Sequence, residues 1–191
     1  MSASVNRSYF DAIYEADTDP WRFASSPYER AKYATTLAAL GSRRYHQALE
    51  VGCSIGVLTR RLAESCDALI ATDISDRPLD EARRRSADAP WVHFERMGAP
   101  REWPDGRFDL ILLSEVLYYL DGDDVAALAA RVRDTLAPGG DLVLVHWTGE
   151  TDYPLSGDEA AELLLREAGQ SLRDVTRQRF DRFRLDAAKG R

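Results

Sequence analysis

The chain has 191 residues, of which 45% are hydrophobic and 30% charged, the size and balance of a folded domain that needs no disulfide or metal staple. Its 25 basic and 32 acidic residues leave a net charge of −7, which argues against DNA or RNA as the main partner, because duplex binding draws on a basic face. No apolar run approaches the ~20 residues that span a bilayer, and Cys53 and Cys66 form neither a metal spacing nor a disulfide framework.

The segment from Met1 to Tyr14 is polar and lacks the apolar centre of a signal peptide, so the expected location is the cytoplasm, with no membrane partner. No repeat, low-complexity tract or linker divides the chain, which predicts a single domain over 1–191. Within it, 1–41 stands apart. Its aromatic residues up to Tyr28 are set among charges without strand alternation, and Tyr33, Leu37 and Leu40 then recur at helical spacing. This predicts a helical N-terminal cap over 1–41 on a core over 42–191.

From His46 the elements alternate. His46–Val51 is a short apolar strand, Val57–Cys66 a helix with Leu58, Leu62 and Ala63 on one face, and Ala68–Asp73 a second strand. Pro78–Ser86 is a second helix with its proline near the start, and Trp91–Glu95 a third strand. Phe108–Ser114 is nearly continuous in apolar residues, as a strand buried on both faces requires. Val125, Leu128, Ala129, Val132 and Leu136 trace a helical stripe closed by Pro138-Gly139-Gly140. A strand at Leu142–Val145, a helix from Asp158 to Ala168 and two strands near 171–180 and 182–188 complete the chain. The last stretch, 171–191, carries seven Arg or Lys against three Asp, read as the solvated side of terminal strands.

This alternation predicts an α/β fold: a doubly wound, mostly parallel, seven-stranded sheet with helices on both faces. The last two strands lie too close for a helix between them and should form an antiparallel hairpin at one sheet edge. Ligands in such sheets bind beyond the carboxyl ends of the strands, at the switch point beside the first strand.

The first strand runs into Glu50-Val51-Gly52-Cys53-Ser54-Ile55-Gly56 just before a helix. Glycines there permit a tight turn and close approach of a ligand, and amides at a helix start favour a carboxylate or phosphate. Asp73 ends the second strand, 21 residues after Gly52, where a carboxylate can accept from both hydroxyls of a ribose. A dinucleotide fingerprint wants glycine at 52, 54 and 57; Ser54 and Val57 break it, which speaks against a nicotinamide-dependent reductase. A tight strand–helix turn with two packing glycines is the plainer reading of the same residues.

The order acid-x-Gly-x-small-x-Gly resembles the first motif of the S-adenosylmethionine (SAM)-dependent methyltransferases. Phe108-Asp109-Leu110-Ile111 leading to Ser114-Glu115-Val116-Leu117-Tyr118-Tyr119-Leu120 looks like the fourth-strand motif of that superfamily, and Leu136-Ala137-Pro138-Gly139-Gly140 like the next. More narrowly, Asp19-Pro20-Trp21-Arg22-Phe23, Ser26-Pro27-Tyr28-Glu29, Gly52-Cys53 and Glu115 to Leu120 resemble the nodulation protein S family. That resemblance implies a Rossmann-like methyltransferase sheet and N-methyl transfer from SAM, leaving S-adenosylhomocysteine, to a small molecule such as the amino group of a deacetylated chitooligosaccharide. No metal is expected.

On this reading Gly52, Cys53, Ser54 and Gly56 form the loop against the methionine end of SAM, with Glu50 holding it. Asp73 takes the ribose, and Ile74 packs on the adenine. Met97 and Gly98 stand where the superfamily carries an acid near the adenine amino group, so Met97 covers the ring by packing or Glu95 reaches it. The Ser114 carbonyl accepts from the methionine ammonium, and Tyr9 and Trp21 close over the cofactor from the cap. His146, just beyond the fifth strand, is the first candidate base because imidazole changes charge near neutrality; Glu115 is the second. Tyr118, Tyr119 and Trp147 suit a sugar ring, although two adjacent tyrosines point differently. Arg83-Arg84-Arg85 reads as a solvated helix face. The rivals to an amine methyltransferase are a small-molecule O-methyltransferase and a SAM-binding module without catalysis.

Overall fold

The computed structural model describes residues 3–191; Met1 and Ser2, which open the polar N-terminal stretch, lie outside the described residues. The chain resolves into two compact units, 6–98 and 3–5 with 99–191.

In the unit from Asn6 to Gly98, helix α1 (Arg7–Ala16) starts at Asn6, whose side chain accepts the Tyr9 amide, and α2 (Pro27–Leu40) starts at Ser26 with Pro27 at its first position. Strands β1 (Ala48–Val51), β2 (Leu69–Asp73) and β3 (Val92–Arg96) are parallel, with Leu49 opposite Ile70 and Ile70 opposite His93. Helices α3 (Val57–Leu62) and α4 (Asp76–Arg85) follow β1 and β2. The helix expected to reach Cys66 stops at Leu62 and tightens into a 3-10 turn over Ala63–Ser65. The cause is a pairing between distant residues: Tyr45 donates its amide to the Ser65 carbonyl and bridges to Cys66, so the chain must already be extended there.

In the other unit, β4 (Phe108–Ser114) leads through a 3-10 turn at Leu117–Tyr119 to α5 (Gly122–Thr135), then β5 (Leu136–Trp147), α6 (Gly157–Ala168), β6 (Leu172–Arg179) and β7 (Phe183–Gly190). Strand β4 pairs parallel with β5, while β7 runs antiparallel between β5 and β6. Leu110 to Leu113 are fully buried, as are Val125, Leu128, Ala129 and Val132 of α5. Each such leucine stabilises the fold by about 1.5–3 kcal/mol relative to exposure. Asp121 caps α5 and Ser156 caps α6 in a reciprocal pair with Glu159.

The expected stop at Pro138-Gly139-Gly140 differs in detail. Helix α5 ends at Thr135 and passes directly into β5, while the Pro-Gly-Gly loops out of the ladder: Phe108 pairs with Leu136, and the next register pair is Leu110 with Asp141. Strand β5 is therefore much longer than its apolar stretch, and His146 lies within it rather than beyond it.

The strands form one mixed seven-stranded sheet in the order β3-β2-β1-β4-β5-β7-β6. The terminal hairpin is present at its edge, with the later strand inserted inside the earlier one. Strand β6 is exposed along nearly its whole length. Arg184 of β7 departs from the expected solvated face: it is buried, pairs through two nitrogens with the buried Asp186, and also meets Asp158 and Glu162 of α6. Hydrogen bonds from the Arg177 guanidinium, and then from that of Arg184, hold Glu162 down at about 2. Among the described residues no helix is long and apolar enough to cross a membrane.

Candidate functional site

In the Asn6–Gly98 unit, β1 delivers Glu50 and then breaks into a turn with three left-handed residues, Gly52 (φ 86°), Ser54 (φ 50°) and Gly56 (φ 74°). Its amides hold the turn itself. Gly52 and Cys53 donate to the Thr72 carbonyl (2.8 and 3.0 Å), Ser54 donates to Oδ2 of Asp73 (3.0 Å), and Gly56 donates to the Cys53 carbonyl (2.9 Å). The loop amides expected to face a ligand are thus already engaged. What Gly52 offers is close approach without a Cβ. Gly56 is a packing glycine: a Cβ there would stand 2.8 Å from that of Ala82, so it sets how closely α3 approaches α4.

Asp73 is buried at the end of β2, Oδ2 accepting from Ser54 and Oδ1 from the Ser75 amide (3.0 Å). Burial raises its pKa to about 6 despite those bonds. Glu50 is also buried; among the described residues its Oε2 has no hydrogen-bond partner within normal distance, and burial pushes it up to about 7 although the Thr59 hydroxyl opposes the shift. A buried carboxylate with an unmatched oxygen is costly alone and fits a ligand that brings cationic groups. The Ser54, Ser75 and Ile74 amides together fill three of the roughly four lone-pair positions of the Asp73 carboxylate, which leaves room for a ribose hydroxyl. The residues present therefore fit SAM. Met97 donates its amide to the Asp73 carbonyl (2.9 Å), which carries Met97, Gly98 and the half-buried Ile74 past the same strand end. Cys53 is buried against Ala71, Leu79 and Phe94, and burial raises its thiol, so it is an inert packing group.

The N-terminal aromatics divide. Tyr9 is 39% exposed and meets Phe10 edge-on. Trp21 stacks on Phe23 and lies edge-on to Tyr14. Tyr14, which the sequence reading passed over, is the residue that reaches the glycine turn: its hydroxyl lies 2.6 Å from that of Ser54. Asp11 accepts from the Ser75 hydroxyl (2.6 Å), and Arg7–Asp76 and Arg77–Glu15 ion pairs fasten α1 to the start of α4. The only linear signal for Tyr14 is its i+4 spacing from the buried Phe10. Arg85, read as solvated, donates to the Ile55 carbonyl (3.0 Å) and steadies the same turn.

In the other unit, Ser114 is the last residue of β4 and is buried. Glu115 follows with φ 56°, a conformation that a residue with a Cβ adopts only when its surroundings impose it. Its amide donates to the Val145 carbonyl (2.9 Å), and its Oε2 accepts from the Tyr118 hydroxyl (2.6 Å) and the Trp147 amide (3.0 Å). His146 is fully buried; Nε2 accepts the Leu117 amide (3.3 Å), and its ring lies edge-on to Tyr118. Tyr118 is buried and Tyr119 half-buried, their rings meet edge-on at 4.7 Å, and burial raises both hydroxyls. A residue absent from the sequence reading, Tyr153, stacks on Tyr118 and meets Tyr119 edge-on. Nothing in the linear pattern marks it, because it lies in a connection.

Among the described residues no group of three or more His, Cys, Asp or Glu is placed to hold a metal ion. The sheet order with its inserted antiparallel strand, the glycine turn and the acid at the end of β2 define the SAM-dependent methyltransferase class. The family profile described as Nodulation protein S (NodS) matches residues 10–182. Nodulation protein S of Bradyrhizobium diazoefficiens is 31% identical over 184 residues, covering 93% of this chain and 86% of that protein. That of Rhizobium tropici is 36% identical over 132 residues, 67% of this chain but only 55% of the relative's length. The crystal structure of N-methyltransferase NodS from Bradyrhizobium japonicum WM9 in complex with S-adenosylhomocysteine superposes with a TM-score of 0.81 at 23% identity, over 97% of this chain and 99% of that one. A putative methyltransferase from Pseudomonas syringae is 37% identical with a TM-score of 0.72, over 85% and 98%. The chain belongs to the nodulation protein S family.

Proposed function

We propose that this protein transfers a methyl group from SAM to an amino group of a small-molecule acceptor. The observation that carries the choice of an amine is Glu115. It is a carboxylate at the end of β4, held in a left-handed backbone conformation and fastened by the Tyr118 hydroxyl and the Trp147 amide. The N-methyltransferase name of the NodS structure supports the same reading, and amino sugars belong to the acceptors it covers.

SAM supplies a methyl group on a positively charged sulfur. The acceptor's nitrogen lone pair forms the new N–CH3 bond as the C–S bond breaks and its electrons return to sulfur, so positive charge moves from sulfur to nitrogen. Alignment and exclusion of water do most of the work in such a step. Glu115 faces the nitrogen as its charge grows, orients its lone pair beforehand, and receives the proton that the new ammonium gives up. His146 is the weaker candidate for that base: it is buried with Nε2 accepting a backbone amide, an arrangement suited to positioning the Leu117–Tyr119 turn. On the cofactor side Asp73 binds the ribose, Ile74 and Met97 flank the adenine, Glu50 balances the cofactor's positive charge, and Gly52 lets its amino-acid end approach. The Ser114 carbonyl accepts from its ammonium.

The test is a coupled assay for S-adenosylhomocysteine release across amines, amino sugars, phenols, alcohols and carboxylates. Turnover confined to amine acceptors is expected. Turnover on phenols or alcohols alone overturns the choice of nitrogen, and cofactor binding with no turnover on any acceptor class makes the chain a SAM-binding module.

A further inference from the structure

Tyr153 lies between β5 and α6, in a segment whose path is narrowly set. The Trp147 indole fills the space beside Gly149, where a Cβ would come within 2.4 Å of Nε1, and the Leu155 amide donates to the Tyr118 carbonyl (3.5 Å). Folded back in this way, the segment lays Tyr153 parallel to Tyr118, with ring centres 5.6 Å apart and planes 9° apart, and edge-on to Tyr119 at 4.5 Å. Tyr118 spends its hydroxyl on Glu115 and is 6% exposed, which makes it a strut. Tyr153, Tyr119 and Glu115 are the half-buried members, so part of each side chain stays open to solvent, and the Tyr119 and Tyr153 hydroxyls hydrogen-bond to each other.

From this grouping we infer that Tyr153 is a specificity-determining residue that, with Tyr119 and Glu115, selects a cation: a protonated or N-methylated ammonium on the acceptor, which gives one proton to water before its nitrogen lone pair attacks. The inference rests on the amine-methyltransferase reading for its biological sense but makes a binding claim of its own. Phenol rings beside a carboxylate suit a charged group with a hydrocarbon skin. The ring quadrupole attracts the charge, the ring covers the methyl and methylene groups, and the carboxylate supplies the counter-charge. A neutral hydroxyl gains at most one hydrogen bond there, and an anionic acceptor is repelled. Because N-methylation adds apolar surface without removing the charge, a monomethylated amine is held at least as well as its parent.

The experiment uses the full chain and its Tyr153→Phe and Tyr153→Leu variants. Phenylalanine keeps the aromatic face and leucine keeps bulk without it. Two readouts are taken: equilibrium binding of tetramethylammonium followed by calorimetry, and KM and kcat for an amine acceptor, with S-adenosylhomocysteine affinity and thermal unfolding as checks on the fold. Tyr153→Phe should match the parent, while Tyr153→Leu should lose tetramethylammonium affinity and raise KM about tenfold with kcat little changed. Parent protein that binds no tetramethylammonium overturns the inference, whatever its turnover, as does a leucine variant with the parent's affinity and KM. If the cation binds in a Tyr153-dependent way but no amine is methylated, the inference stands and the amine-transfer reading falls.

Discussion

The hydroxyls of Tyr14 and Ser54 lie 2.6 Å apart, and the amide of the same serine donates to Asp73. One helix of the N-terminal region is thereby joined, through the glycine turn, to the carboxylate proposed to take the ribose. Tyr14→Phe removes a single buried hydrogen bond of about 1 kcal/mol. The expected result is several-fold weaker binding of S-adenosylhomocysteine by calorimetry with little change in melting temperature. Unchanged affinity would reduce Tyr14 to packing.

Asp73→Asn keeps one acceptor oxygen for the amides that bind Asp73 but removes the charge that strengthens bonds to hydroxyls. Charge-assisted bonds contribute about 1.5–3 kcal/mol each, so cofactor affinity should fall by at least roughly tenfold while far-ultraviolet circular dichroism stays native. A variant that binds like the parent rules out Asp73 as the ribose ligand.

Glu50 is a carboxyl whose pKa is raised by burial from an ordinary 4.5 to about 7. Such a group holds more protons folded than unfolded, so its contribution to stability is full at low pH and is lost as pH rises from about 4.5 to about 7. The ligand-free Glu50→Gln variant should therefore melt above the parent at pH 8 and equal it near pH 4. Cofactor binding should move the opposite way, weaker in the variant at pH 8, because the ionised carboxylate balances the cofactor's positive charge. Parallel melting curves at both pH values would refute the assignment.

Gly56→Ala places a Cβ 2.8 Å from that of Ala82, at a residue with φ 74°. Overpacking at such a site costs about 1–3 kcal/mol, and adding Ala82→Gly should recover part of it. Urea unfolding of the single and double variants measures both; additive losses would show that the contact is not the cause.

Arg184 and Asp186 are buried together, with side-chain exposures of 4% and 0%. Arg184→Met leaves a buried carboxylate without its counter-charge and should destabilise by about 3–5 kcal/mol. The double change with Asp186→Leu should return most of that loss, which chemical denaturation can test directly.

The alternation of elements, the fully apolar β4 and the helical stripe of α5 were legible in the chain because burial imposes its period on the residues of each element separately. The positions of Gly52, Asp73 and Glu115 at or just past strand ends were legible for a related reason: the apolar run of each strand stops there. Tertiary structure alone decided that α3 stops at Leu62, that β5 begins at Leu136, before the expected helix stop, and that His146 is buried in a strand. It also brought Tyr14 to Ser54, 40 residues away, seated Tyr153 on Tyr118, and turned one arginine of a basic tail inward onto Asp158 and Glu162 of α6. Each of these depends on pairing between residues distant in the chain, and such pairings leave no periodic mark in either partner's neighbourhood.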